Sequence, residues 1–257
     1  MKKSLITLAV LGAAVALPQV TMADVKVYGQ AQVEVVSYSD DADKDKGIEV
    51  EDNARGRVGI VASEDLGDNL KGIAKFEFKA DTADGVAGGT NVALTPRESF
   101  VGLKGGWGQF EMGRLKSEYK YNGGVKYDPF VATSLEARGK GGMSGGSLGH
   151  NSFLTNSVAY RVKAGPVKLG LTYDPSENEG KMTAAANFQA KKWEAFVALV
   201  DAGDGGVVNA TSSESKLKFG GKFKFGNNTI TGQYETIDLD NAAGQEPTVL
   251  FLGYQLK

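Results

Sequence analysis

Gly142-Met143-Ser144-Gly145-Gly146 has the G-x-S-x-G form of a nucleophile elbow, in which a strained strand-to-helix turn presents a serine to a nearby base. Here the pattern lies in a glycine-rich stretch, and the single histidine, His150, stands just beyond it. A loop tip is the expected reading, and no catalytic residue is assigned. Asp41, Asp43 and Asp45 at alternate positions approach a calcium loop, but Lys46 stands where that loop needs glycine and Asp52 where it needs glutamate. A solvated acidic loop is expected there, with divalent binding left open. Gly139, Gly141, Gly142, Gly145 and Gly146 lack the G-K-[ST] ending of a phosphate loop. Zero cysteines and one histidine exclude thiolate chemistry and multi-histidine metal centres, so no cofactor is expected. A net charge of −2 gives no reason to expect nucleic acid.

The remaining chemical pattern is a row of lysines. Lys216, Lys218, Lys222 and Lys224 alternate with Leu217, Phe219, Phe223 and Phe225, which is a strand with one wet and one oily face. Lys181–Ala190 and Leu70–Ala80 repeat the logic, and Lys71 and Lys75 lie on the polar face of the latter. About a dozen such segments follow Asp24. Tight turns at Leu66–Asn69, Gly105–Gly108, Gly165–Pro166, Lys191–Lys192 and Gly226–Asn228 alternate with longer linkers, the longest being Leu115–Thr155. Short and long connections in strict alternation are the grammar of a transmembrane antiparallel β-barrel. In lipid every backbone polar group must be paired, so strands survive there only in a closed sheet. The expected fold is therefore all-β, with about 12 strands and a polar lumen. Tyr28, Tyr38, Trp107, Tyr173, Trp193 and Tyr254 are expected in the interfacial girdles. A soluble β-sandwich would alternate too, but has no reason to place every tight turn at one end.

Ahead of the barrel, Lys2 and Lys3 precede an apolar run from Leu5 to Leu17, and Thr21-Met22-Ala23 offers small residues for cleavage. Residues 1–23 thus read as a secretory signal peptide and 24–257 as one barrel domain. Assigning each polar face to the lumen makes the inward basic set Lys26, Arg55, Arg57, Lys71, Lys75, Lys79, Arg161, Lys163, Lys168, Lys181, Lys216, Lys218, Lys222 and Lys224. The inward acids are Glu34, Glu77, Glu111 and Glu235, while Asp40, Asp41, Asp43, Asp45, Glu49, Glu51 and Asp52 fall in a loop. An anion preference is expected from that distribution, despite the net negative charge.

Several segments resemble the Gram-negative general diffusion porins. Val25-Lys26-Val27-Tyr28-Gly29 resembles the opening strand of that family. Arg57-Val58-Gly59-Ile60 with Glu64-Asp65-Leu66-Gly67 and Leu70-Lys71 resembles its second strand, turn and third strand. Arg97, Phe100–Gly105, Gly108–Phe110 and Met112–Arg114 resemble its next hairpin, and Asn156–Arg161 the strand after the long third loop. The resemblance implies a 16-stranded barrel, a homotrimer held in outer-membrane lipid and lipopolysaccharide, and passive diffusion of small hydrophilic solutes and ions. It also implies a third loop folded into the lumen, with basic wall residues Arg57, Arg114 and Arg161 facing loop carboxylates Asp128 and Glu136. Two departures stand out. Strict alternation aims Arg114 at lipid unless a bulge at Gly113 turns it or the strand ends first, and the chain stops at Gln255-Leu256-Lys257 where the family ends on an aromatic. The expected explanation of the ending is a fragment lacking its last hairpins, with a smaller barrel as the alternative. A barrel serving as an enzyme or adhesin-like scaffold is the alternative function.

Overall fold

Period-2 alternation gives long antiparallel strands wherever one face meets lipid and the other meets water. The computed structural model describes residues 23–37, 47–52, 56–80, 82–83, 94–122, 124–131, 133–136, 153–175, 180–201, 213–239 and 246–256. In chain order the strands are β1 (Asp24–Gln30), β2 (Glu34–Ser37), β3 (Ile48–Glu51), β4 (Arg57–Gly67), β5 (Leu70–Ala80), β6 (Leu94–Gly105) and β7 (Gly108–Lys116). After a short helix α1 (Glu118–Tyr121) and a single 3-10 turn (Gly124–Tyr127) come β8 (Phe153–Ala164), β9 (Val167–Asp174), β10 (Lys181–Gln189), β11 (Trp193–Asp201), β12 (Ser213–Phe225), β13 (Asn228–Leu239) and β14 (Thr248–Leu256). Twelve strands form one antiparallel barrel-like sheet in the order β1-β4-β5-β6-β7-β8-β9-β10-β11-β12-β13-β14. The dozen expected strands are these. The linker expected between Ser39 and Asn53 carries in addition part of a separate hairpin, β2 with β3.

Burial is inverted relative to a soluble protein. Phe76, Phe219 and Phe223 are each about half exposed (48%, 52% and 48%), while Glu77, Lys218 and Asn187 on the opposite faces are almost fully covered (2%, 0% and 1%). That inversion suits a sheet with hydrocarbon outside and a polar interior. The tight turns hold: Gly165 and Gly226 take left-handed backbone (φ +57° and +55°), which glycine adopts without a Cβ penalty. Trp107, Tyr173, Trp193 and Tyr254 lie on the exposed face as expected of girdle residues. Tyr28 does not. It points inward and its hydroxyl donates to Glu77 Oε2 at 2.6 Å. Tyr38, residues 1–22, the Asp41–Asp45 run, Ser144 and His150 lie outside the described residues.

The apolar core sits inside the sheet. Tyr119 and Tyr127 of the loop between β7 and β8 join Leu154, Ala185, Phe196, Ala198 and Val200 from the inner wall.

Candidate functional site

The interior is organised around that loop, and its root begins with two irregularities in the strands. Between Phe76 and Phe78 the β5–β6 register slips, so that Arg97 and Glu98, adjacent in sequence, both serve the inner face. Arg97 Nε meets Glu77 Oε1 at 2.8 Å, and Glu98 Oε2 takes Lys75 at 2.6 Å and Lys116 at 3.1 Å. Lys75 also lies 3.5 Å from Glu77, making a ladder of alternating charge along β5, β6 and β7. A second slip, at Gly113 on β7 (φ +142°), is matched by Asn156 on β8 (φ +54°). Past it Arg114 donates to the Arg97 carbonyl at 2.8 Å and sits over the Phe153 ring, which it shares with Arg97 and with Lys120 of α1. The bulge turns Arg114 toward the loop, and β7 runs on to Lys116.

Arg161 is the hub of the root. It pairs with Glu111 on the neighbouring strand and, through Nε at 2.5 Å, with Glu118 at the start of α1. Its Nη2 donates to the Lys116 carbonyl at 3.0 Å, and its guanidinium lies 4.7 Å from the centre of the Tyr121 ring. Ser117 caps α1, and the Glu118 amide donates to Thr183 Oγ1 of β10 at 2.8 Å. Burial pushes the Glu118 carboxyl above its ordinary range, and the Arg161 charge opposes that rise. Gly170 makes room for this carboxylate, since a Cβ there would collide with it.

Beyond the root the loop is latched by two tyrosines. Tyr119 donates to Glu235 on β13, and Lys218 of β12 lies against its ring, 3.6 Å from the centre. Tyr127 stacks on Phe196 with centroids 4.6 Å apart, accepts from Asn187 Nδ2 at 2.7 Å and donates to Glu194 at 3.2 Å. Burial beside the Glu194 carboxylate raises the Tyr127 phenol well above its usual range, and burial lowers the Lys126 ammonium even though Glu194 lies 3.4 Å away. The tip then reaches β14 at one end of the sheet and the separate β2–β3 hairpin. A Cβ on Gly253 of β14 would stand 2.9 Å from the Pro129 ring, and the Ser134 amide donates to Glu34 of β2 at 3.1 Å. The described part of Leu115–Thr155 therefore lies across the interior, along the wall from β9 to β14.

The residues expected at a constriction are spread along this path. Arg161 and Arg114 are at the root, Arg57 is on β4 with its guanidinium on Gln30 at 2.6 Å, and Asp128 and Glu136 are buried in the tip. Asp128 Oδ1 accepts from the Phe130 amide at 2.8 Å, which shapes the turn after Pro129. Lys71, Lys75, Lys216, Lys218, Lys222 and Lys224 occupy the inner face, but Lys216 and Lys218 are buried and Lys222 is 3.0 Å from Glu194. Sequence reasoning missed Glu98, Glu118 and Glu194 as inward acids. It also missed Tyr119 and Tyr127. Their one signal was β11, whose inward residues Phe196, Ala198 and Val200 are apolar and so needed an apolar cover.

The Gram-negative porin family matches residues 7–257. The chain belongs to that family. Among relatives of this porin, the major outer membrane protein P.IB of Neisseria meningitidis serogroup A is 38% identical over 131 residues, 49% of this chain and 37% of that protein. The P.IB protein of Neisseria gonorrhoeae is 38% identical over 130 residues, 48% of this chain and 34% of that protein. The matched stretch thus spans little more than a third of these relatives. The fold is shared with the anion-selective porin from Comamonas acidovorans (TM-score 0.66, 19% identity, 91% of this chain and 74% of that one). Salmonella typhi OmpF shares it too (TM-score 0.60, 13% identity, 90% and 72%).

Proposed function

We propose that this porin is an outer-membrane channel for passive diffusion of small hydrophilic solutes and ions, preferring anions and working as a homotrimer. The observation that carries the reading is the loop after β7, seated on the inner wall by Tyr119 and Tyr127 in place of projecting into solvent. A loop so placed narrows the water path that a polar-lined sheet would otherwise leave wide. Residues 1–23 direct export, 24–257 form the barrel, and its outer face meets outer-membrane lipid and lipopolysaccharide. The short turns then lie on the periplasmic side. Arg57 supplies a basic side of the constriction and Asp128 and Glu136 the acidic side, while Arg114 and Arg161 hold the loop root in place. Anion preference follows from pairing: Glu77, Glu98, Glu111 and Glu194 are each held by cations, whereas inward Lys104, Lys163, Lys168 and Lys224 have no ion pair among the described residues. Low-dielectric walls focus the field of those unmatched charges along the path. Reconstitution in planar bilayers under a potassium chloride gradient tests both parts. Stable conductance with an anion-selective reversal potential is expected. A cation-selective sign overturns the preference, and folded protein that never conducts overturns the channel.

A further inference from the structure

Where the turn ends of β6 to β9 meet the end of α1, the wall carries an open-mouthed cavity of about 270 Å³. Lys104, Lys163, Lys168, Gln109, Arg161, Tyr121 and Asn122 line it. The ladders bring the cations together in two rows. Lys104 stands opposite Gln109, which stands opposite Arg161, and Lys163 stands directly opposite Lys168. Like charges facing each other across a ladder destabilise a sheet unless something neutralises them. Among the described residues no carboxylate pairs with them. Arg161 is occupied by Glu111 and Glu118, the Gln109 amide donates to Glu111, and the described residues that line the cavity include no carboxylate. None of the three lysines has an ion pair among the described residues. Three lysines without an ion pair thus line a space of several water volumes, at about 30 Å³ each. Gly105, Gly106 and Gly108 of the β6–β7 turn complete its lining.

We infer that this cavity is a docking subsite for a compact multivalent oxyanion of the phosphate class, held by Lys104, Lys163 and Lys168 at the turn-end mouth. Lysine acts on phosphate as a point charge, and three from different strands match the several charged oxygens of such a group. The lysines share the inner face with Gln109 and Arg161, so the ligand is a dissolved solute and not a headgroup of the surrounding bilayer. The inference rests on the anion-preferring channel reading and names what its wall selects.

Isothermal titration of inorganic pyrophosphate into the folded protein in an uncharged detergent tests it without requiring conductance. Saturable binding is expected, weakened at least tenfold in the Lys104→Gln/Lys163→Gln/Lys168→Gln variant and unchanged in Lys191→Gln/Lys192→Gln, with heat-modifiable mobility confirming that each is folded. Unchanged binding in the triple variant overturns the site. So does absent binding by a protein that still conducts chloride. Binding by a protein that does not conduct supports the site and overturns only the channel. Doping the detergent with phosphatidylglycerol should leave the titration unaltered; competition would assign the lysines to a lipid headgroup and overturn the solute inference.

Discussion

The inner wall has two unlike halves. Along β4 to β7 it carries a ladder of ion pairs, Arg97–Glu77–Lys75–Glu98–Lys116, while α1 packs chiefly on β9, β10 and β11. Along β10 to β13 it carries an apolar and buried patch, with Phe196, Ala198, Val200 and Lys218 lying under Tyr119 and Tyr127. The difference teaches how a barrel with a wet interior keeps a loop on one side. Matched charges make that stretch of the first half a self-satisfied polar surface with nothing to gain from an apolar cover. The second half exposes apolar area to water until the tyrosines cover it, at about 25 cal/mol per Å² buried.

The strongest way to break this asymmetry is to remove the cover. Tyr119→Ala with Tyr127→Ala empties both latches, and truncating a buried aromatic costs about 3–5 kcal/mol each. The loop is expected to leave the wall, making Lys120 and Lys126 cleavable by trypsin and raising single-channel conductance. A loop that stays protected in the double variant would show that the root alone holds it.

Cutting the root should have the next largest effect. Arg161→Gln leaves Glu111 and Glu118 buried without their cation, a loss of about 3–5 kcal/mol. Glu118 gives this loss a pH signature. Its folded pKa lies above the unfolded value, so its contribution is full below the ordinary carboxylate range and is lost as pH rises through the raised value. The variant should therefore unfold more easily at neutral pH than in mild acid, by urea titration at several pH values. A pH-independent deficit would mean that the Glu118 charge is not what Arg161 balances.

How far these halves were readable from sequence follows the same division. The wall strands were legible because lipid outside and water inside impose a period of 2 on Lys216–Phe225 and its counterparts. Bulges defeat that period: Glu98 was missed and Arg114 left ambiguous because each register slip moves a residue to the other face. Tyr28, read as a girdle residue, turned inward because Glu77 offered its hydroxyl a buried acceptor. Loop residues carry no period at all. Glu118, Tyr119 and Tyr127 gain their roles from Arg161, Glu235 and Phe196, more than forty residues away in sequence.

A milder perturbation sharpens the boundary between the halves. Gly170→Ala places a methyl group against the Glu118 carboxylate, forcing a shift worth about 1–3 kcal/mol while leaving every charge in place. Thermal unfolding should fall modestly, and the loop should stay protected from trypsin because the tyrosine latches remain. A drop as large as that of Arg161→Gln would place the main anchor at the root.

The central claim is that the loop after β7 crosses the interior to the far wall, and the contact of Pro129 with Gly253 on β14 tests it most directly. The chain has no native cysteine, so Pro129→Cys with Gly253→Cys introduces the sole thiols, at positions where a Cβ on residue 253 already lies 2.9 Å from the Pro129 ring. Mild oxidation of the folded double variant should produce an intramolecular disulfide, seen as faster unreduced migration on a denaturing gel and loss of both thiols to a water-soluble maleimide. Two freely labelled thiols and no cross-link in the folded protein would contradict a loop seated across the interior.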